Sequence, residues 1–126
     1  MLPPAEALTL AQRLLDTGRP FHAHEVLEAS WKAAPAAERD LWQGLAQIAV
    51  GLTHALRGNA RGAAALLRRG GQRVAGYGDS GPHGVRATAI ARSASDLAAR
   101  IEQGGVADVT AGAIRLSVDQ DPPRSG

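Results

Sequence analysis

The apolar stripe between residues 36 and 57 constrains the fold more than any other feature of the chain. Leu41, Leu45, Ile48, Leu52 and Leu56 recur at intervals of three and four, the period of one helix face. Gly44, Gly51 and Ala55 flank the stripe. Glycine inside a helix costs up to about 1 kcal/mol relative to alanine, so two of them predict a close approach by a neighbouring helix. The opposite face carries Arg39, Gln43, Gln47, Val50 and His54. A helix that is mostly apolar, with one line of polar groups, belongs inside a bundle where those groups find partners.

Proline and glycine divide the rest of the chain at helical lengths. Pro3-Pro4 opens a first helix with Leu8, Ala11, Leu14 and Leu15 on one face, and Gly18 stops it. Pro20 opens a second, which must end before Pro35. Gly58-Asn59 is a stop followed by an N-cap for a fourth helix to about Ala75, weakened by Gly70-Gly71. After a Gly-rich loop at 77–84, a fifth helix spans about 85–103, and Gly104-Gly105 closes it. Aromatic residues make up only 3% of the chain, and leucine and alanine dominate the apolar positions, which favours helix over strand. The 126 residues suit one domain with one core. The expectation is an all-α, single-domain bundle of about five helices, the second and third forming a central antiparallel hairpin. Residues 1–104 make the helical domain, and 105–126 an extended segment docked on the bundle with a frayed tail.

Composition excludes several classes. There is no cysteine, hence no disulfide, thiolate ligand or Cys nucleophile. The N-terminal residues lack the basic and apolar regions of a signal peptide. The longest uncharged run, 41–56, falls short of the ~20 residues of a membrane span. A soluble, cytoplasmic protein is expected. Net charge is +2, and Arg57, Arg61, Arg68, Arg69 and Arg73 read as a solvated face. No aromatics interleave with them, so a nucleic-acid partner is not expected. Gly76-Tyr-Gly78-Asp-Ser-Gly81 spells a dinucleotide fingerprint but lacks the strand before and the helix directly after, and reads as a flexible loop with His83 exposed.

The chemistry concentrates in Phe21-His-Ala-His-Glu-Val-Leu-Glu-Ala-Ser-Trp31. At ~100° per residue, His24 and Glu28 fall between Phe21, Leu27 and Trp31 on the face expected to meet the core. An i, i+4 pair of this kind can share a hydrogen bond or an ion. Folding the hairpin about Pro35 sets Glu28 near Arg39 and Gln43, and His24 near Gln47, with His54 about 10 Å further on.

These residues also carry a family resemblance. Phe21-x-x-His24-Glu25-x-x-Glu28-x-x-Trp31, then Glu38-Arg39, Gln43-Gly44-Leu45-x-Gln47 and Gly58-Asn59-x-x-Gly62-Ala63, resembles domain-of-unknown-function family 309. The family has bacterial and archaeal members and the signature His-x-x-x-Glu-x-x-Trp/Tyr, which maps onto His24, Glu28 and Trp31. The resemblance covers about residues 11–73. It implies a small all-helical fold and a suspected metal-binding role.

Three functional readings follow. His24 and Glu28 would ligate a divalent ion such as Zn, Mn, Fe or Ni, with Glu25, His54 or water completing the shell and hydrolytic chemistry open to it. His-Glu-Val-Leu-Glu lacks the second His of the zinc-protease motif, which excludes that assignment. Alternatively the pair is a buried network, Glu28 accepting from Arg39, His24 bonding Glu28 or Gln47, and Trp31 covering both. That reading is preferred to a metal because Arg39 would compete with the ion. Thirdly, His24, Glu28, Gln43 and Gln47 would line a crevice for a small polar ligand, preferred to catalysis because no nucleophile–base pair is evident. The faces at Gly44 and Gly51 would serve a homodimer or internal packing equally.

Overall fold

The computed structural model describes residues 2–116. Five α-helices follow one another: α1 (Pro4–Asp16), α2 (Pro20–Ala33), α3 (Arg39–Leu56), α4 (Ala60–Ala75) and α5 (Ala87–Gly104). Short 3-10 turns at Ala36–Glu38, Pro82–Gly84 and Ala111–Ala113 punctuate them. Each helix packs chiefly on its neighbour in sequence, as short connections require. No strand occurs among the described residues, and no helix there is long and apolar enough to cross a membrane.

α3 is the central element. Leu41, Trp42, Leu45, Ile48, Ala49 and Leu52 are almost wholly buried. The stripe ends a turn earlier than its periodicity suggests, because Leu56 is 45% exposed where α3 gives way to the Gly58 turn. Gly58 takes φ +84°, which only glycine adopts cheaply, and Asn59 Oδ1 accepts from the Gly62 amide at 3.0 Å to cap α4.

The α2–α3 hairpin forms, but the most extensive helix packing is between α3 and α4, and glycines on both helices explain it. A Cβ on Gly70 would lie 2.6 Å from the Gly44 carbonyl oxygen, and one on Gly44 would lie 2.8 Å from the Gly70 oxygen. Gly51 faces Leu67 and the Ala63 carbonyl in the same way. Gly70 therefore sets the contact rather than weakening α4, and the small-residue face of α3 is covered by α4.

The segment after α5 returns to α1. Gln12, almost fully buried, donates from Nε2 to the Ile114 carbonyl at 3.2 Å and accepts from the Leu116 amide at Oε1 at 2.8 Å. Ala111, Ile114 and Leu116 join the core. The tail expected beyond them lies outside the described residues.

Candidate functional site: a polar cleft on the hairpin

α2 turns Pro20, Ala23, Leu27 and Ser30 fully inward. That places His24, Glu28 and Trp31 on the flank of the helix instead of on its innermost strip, and Phe21 is 45% exposed. The expectation of a core-facing pair is thus corrected: small residues at Ala23 and Ser30 allow the closest approach, which rotates the polar pair to the edge. There, with Gln43, Ala46, Gln47 and Val50 of α3 and Leu66 of α4, the flank bounds a cleft of about 160 Å³.

The pair is closed on itself. His24 Nε2 lies 2.8 Å from Glu28 Oε2, and Lys32 Nζ lies 3.1 Å from Oε1. The Lys32 ammonium holds the Glu28 carboxyl below its ordinary value against the opposing effect of desolvation, with a smaller contribution from His24. His24 Nδ1 is buried and has no hydrogen-bond partner among the described residues.

Arg39 does not reach Glu28 as a partner. Its guanidinium sits over the Trp31 ring, 5.7 Å from the centroid, in cation–π geometry. Gln47 bonds not to His24 but to α4, its Oε1 accepting from Arg73 Nε at 3.1 Å. Arg73 also pairs with Asp40 at 2.9 Å, so it ties α4 to two points on α3. Gln43 lines the cleft with no hydrogen bond from its amide to a described protein group.

The donors for a metal do not converge. No group of three His, Asp or Glu side chains among the described residues could hold an ion. Glu25 lines the neighbouring outer groove with Phe21 and Lys32, and although His24 and Glu28 border that groove too, the three do not come together as a group that could hold an ion. The expected fourth donor, His54, sits with Nδ1 3.1 Å from Asn59 Nδ2 at the far end of α3. Of the two remaining donors, Glu28 already faces an ammonium and His24 has one nitrogen on Glu28 and the other buried. This donor set does not fit a divalent ion.

A second constellation escaped the sequence reading. Glu38 Oε1 accepts from Trp42 Nε1 at 3.2 Å and lies 2.8 Å from His83 Nε2, whose ring stands 6.0 Å from that of Trp42. Tyr77 Oη donates to the Ala37 carbonyl at 2.7 Å and accepts from the Leu41 amide at 3.2 Å, capping the first turn of α3. Burial pushes the Glu38 carboxyl up, but the hydrogen bonds from His83 and Trp42 outweigh it and leave the group below its ordinary value. The Gly-rich loop is thus anchored at both ends of its course over α3, and His83 holds a left-handed backbone, φ 58°, while doing so. Glu38 and Trp42 stand at i, i+4, the signal that could have revealed half of this cluster. Nothing in the sequence places Tyr77 or His83 on it.

These features define a small helical-bundle domain with a polar cleft beside its second helix. Residues 8–66 match the family model described as Domain of unknown function (DUF309). That stretch resembles the family, and it contains every residue of the cleft and none of the 77–84 loop. No curated protein and no solved structure matches the chain.

Proposed function

We propose that the protein is a binding module for a small polar ligand, received in the cleft between α2 and α3. The observation that carries this reading is the convergence of His24, Glu28, Trp31, Gln43 and Gln47 on one concavity with an apolar floor of Ala46, Val50 and Leu66. A few polar groups over an apolar floor are the usual make-up of a small-molecule site. No nucleophile–base pair among the described residues faces the cleft, so binding is preferred to catalysis, and a metal-dependent hydrolase is set aside with the metal. The test is a thermal-shift screen of polar metabolites on wild type and Ala46→Phe, which fills the floor. A stabilising compound that loses its effect in the variant supports the reading; a screen in which none stabilises wild type sinks it.

A second reading has one specific observation in its favour. Glu28 is held from both sides by His24 and Lys32, as in a purely structural network. In that case Glu28→Gln lowers stability while no ligand responds to any cleft substitution.

A further inference from the structure

One hydrogen-bonding group of the cleft has a fixed orientation. An arginine N–H can only donate, so the oxygen of the Gln47 amide must face Arg73 Nε. That contact fixes the amide, and its NH2 group, turned away from Arg73, has no acceptor among the described residues. Gln43, one turn earlier on α3, also has an unspent amide on the cleft. Glu28, the one carboxylate on the wall, is committed at both oxygens, to His24 and to Lys32. What the cleft has left to offer is the Gln47 NH2, fixed as a donor by Arg73, together with both ends of the Gln43 amide and the buried His24 Nδ1.

Charge and shape agree with this. Arg39, over the Trp31 ring at the edge of the cleft, has no carboxylate partner among the described residues, whereas Lys32 and Arg73 are paired with Glu28 and Asp40. Ala46, Val50 and Leu66, with the Trp31 ring beside them, offer an apolar bed. The volume of about 160 Å³ is that of a cavity able to take a single aromatic ring.

Resting on the reading of the cleft as a ligand site, we propose that its ligand is a small monocarboxylate. A one-ring or branched-chain body lies on Ala46, Val50 and Leu66, and the carboxylate accepts N–H groups from Gln47 and Gln43. Negative charge is favoured by Arg39 at the rim and is not opposed by Glu28, whose own charge Lys32 offsets.

Gln47→Glu is the discriminating substitution. It keeps an oxygen for Arg73 but replaces the free NH2 with an oxygen that repels a carboxylate. The full chain is titrated with benzoate, and with benzamide and benzyl alcohol as neutral probes, while the side-chain amide NMR signals of Gln43 and Gln47 are followed. Benzoate is expected to saturate and to shift both signals, with the neutral probes weaker by about tenfold or more. Gln47→Glu is expected to lose benzoate affinity by a similar factor with its thermal midpoint unchanged. Neutral probes that bind as well as benzoate, or a variant that binds it undiminished, would overturn the carboxylate assignment and leave the cleft reading standing. If none of the three probes shifts any cleft signal, the carboxylate assignment falls, and the cleft reading falls with it only when the metabolite screen is silent as well.

Discussion

Glu28 is bracketed by partners on its own helix, His24 four residues before and Lys32 four residues after. Such half-exposed pairs are each worth roughly 0.3–1 kcal/mol, so Glu28→Gln should lower unfolding free energy by about 0.5–1 kcal/mol near neutral pH. The folded-state pKa of Glu28 is depressed. Its contribution is therefore present above the unfolded value and lost as pH falls through the folded one. Urea denaturation at neutral and at acid pH should show wild type and variant converging on the acid side; a gap that persists there would contradict the assignment. The Glu28–Lys32 spacing was readable from the sequence, and Arg39 was given the partner that Lys32 already takes. Whether a guanidinium across a hairpin meets a carboxylate or lies on an indole depends on a few ångströms of helix rotation, which periodicity cannot supply. Trp42 is the larger omission. It stands directly before Gln43 of the polar line and is almost wholly buried, so Trp42→Ala should cost about 3–5 kcal/mol in the same measurement.

Between elements, the α3–α4 seam and the loop over α3 behave differently under substitution. Gly70→Ala would gain up to about 1 kcal/mol of helix propensity, yet its Cβ would meet the Gly44 carbonyl and the Ile48 backbone. Backbone cannot step aside cheaply, and overpacking of this kind costs about 1–3 kcal/mol. A net loss of stability is expected, and a gain would mean the helices can part. Tyr77→Phe removes both hydrogen bonds to the first turn of α3 and should cost about 0.5–1.5 kcal/mol, with faster hydrogen exchange at the Leu41 amide. The helix limits were legible because Pro20, Pro35 and Gly58-Asn59 interrupt the periodicity locally. The loop's course was not legible, because Tyr77 and His83 reach α3 from 36 and 45 residues away. The cleft lies between these cases: His24, Glu28, Gln43 and Gln47 could be placed together by folding one short hairpin, whereas Leu66 arrives from a third helix.

At the scale of the whole molecule, Gln12 closes the chain on itself. Its amide joins α1 to residues 114 and 116, about a hundred positions later, while Nε2 also reaches Asp16, which pairs with Arg115 at 2.7 Å. Gln12→Leu would leave the Ile114 carbonyl and the Leu116 amide without that partner, a loss of about 1–3 kcal/mol for buried groups. Contacts so distant in sequence form late if local helix pairs form first. The substitution should therefore speed unfolding more than it slows folding in stopped-flow measurements. A matching slowdown of folding would instead place the closure in the transition state.

The two indoles of the chain report on different places. Trp31 is half-buried at the cleft under the Arg39 guanidinium, while Trp42 is enclosed beside the His83 ring. A Trp42→Phe protein would therefore emit from the cleft alone, and a Trp31→Phe protein from the packing of the 77–84 loop. Each emission spectrum becomes an internal gauge of one region, so ligand entry and loop release can be timed separately, in the same solution conditions and without any attached dye.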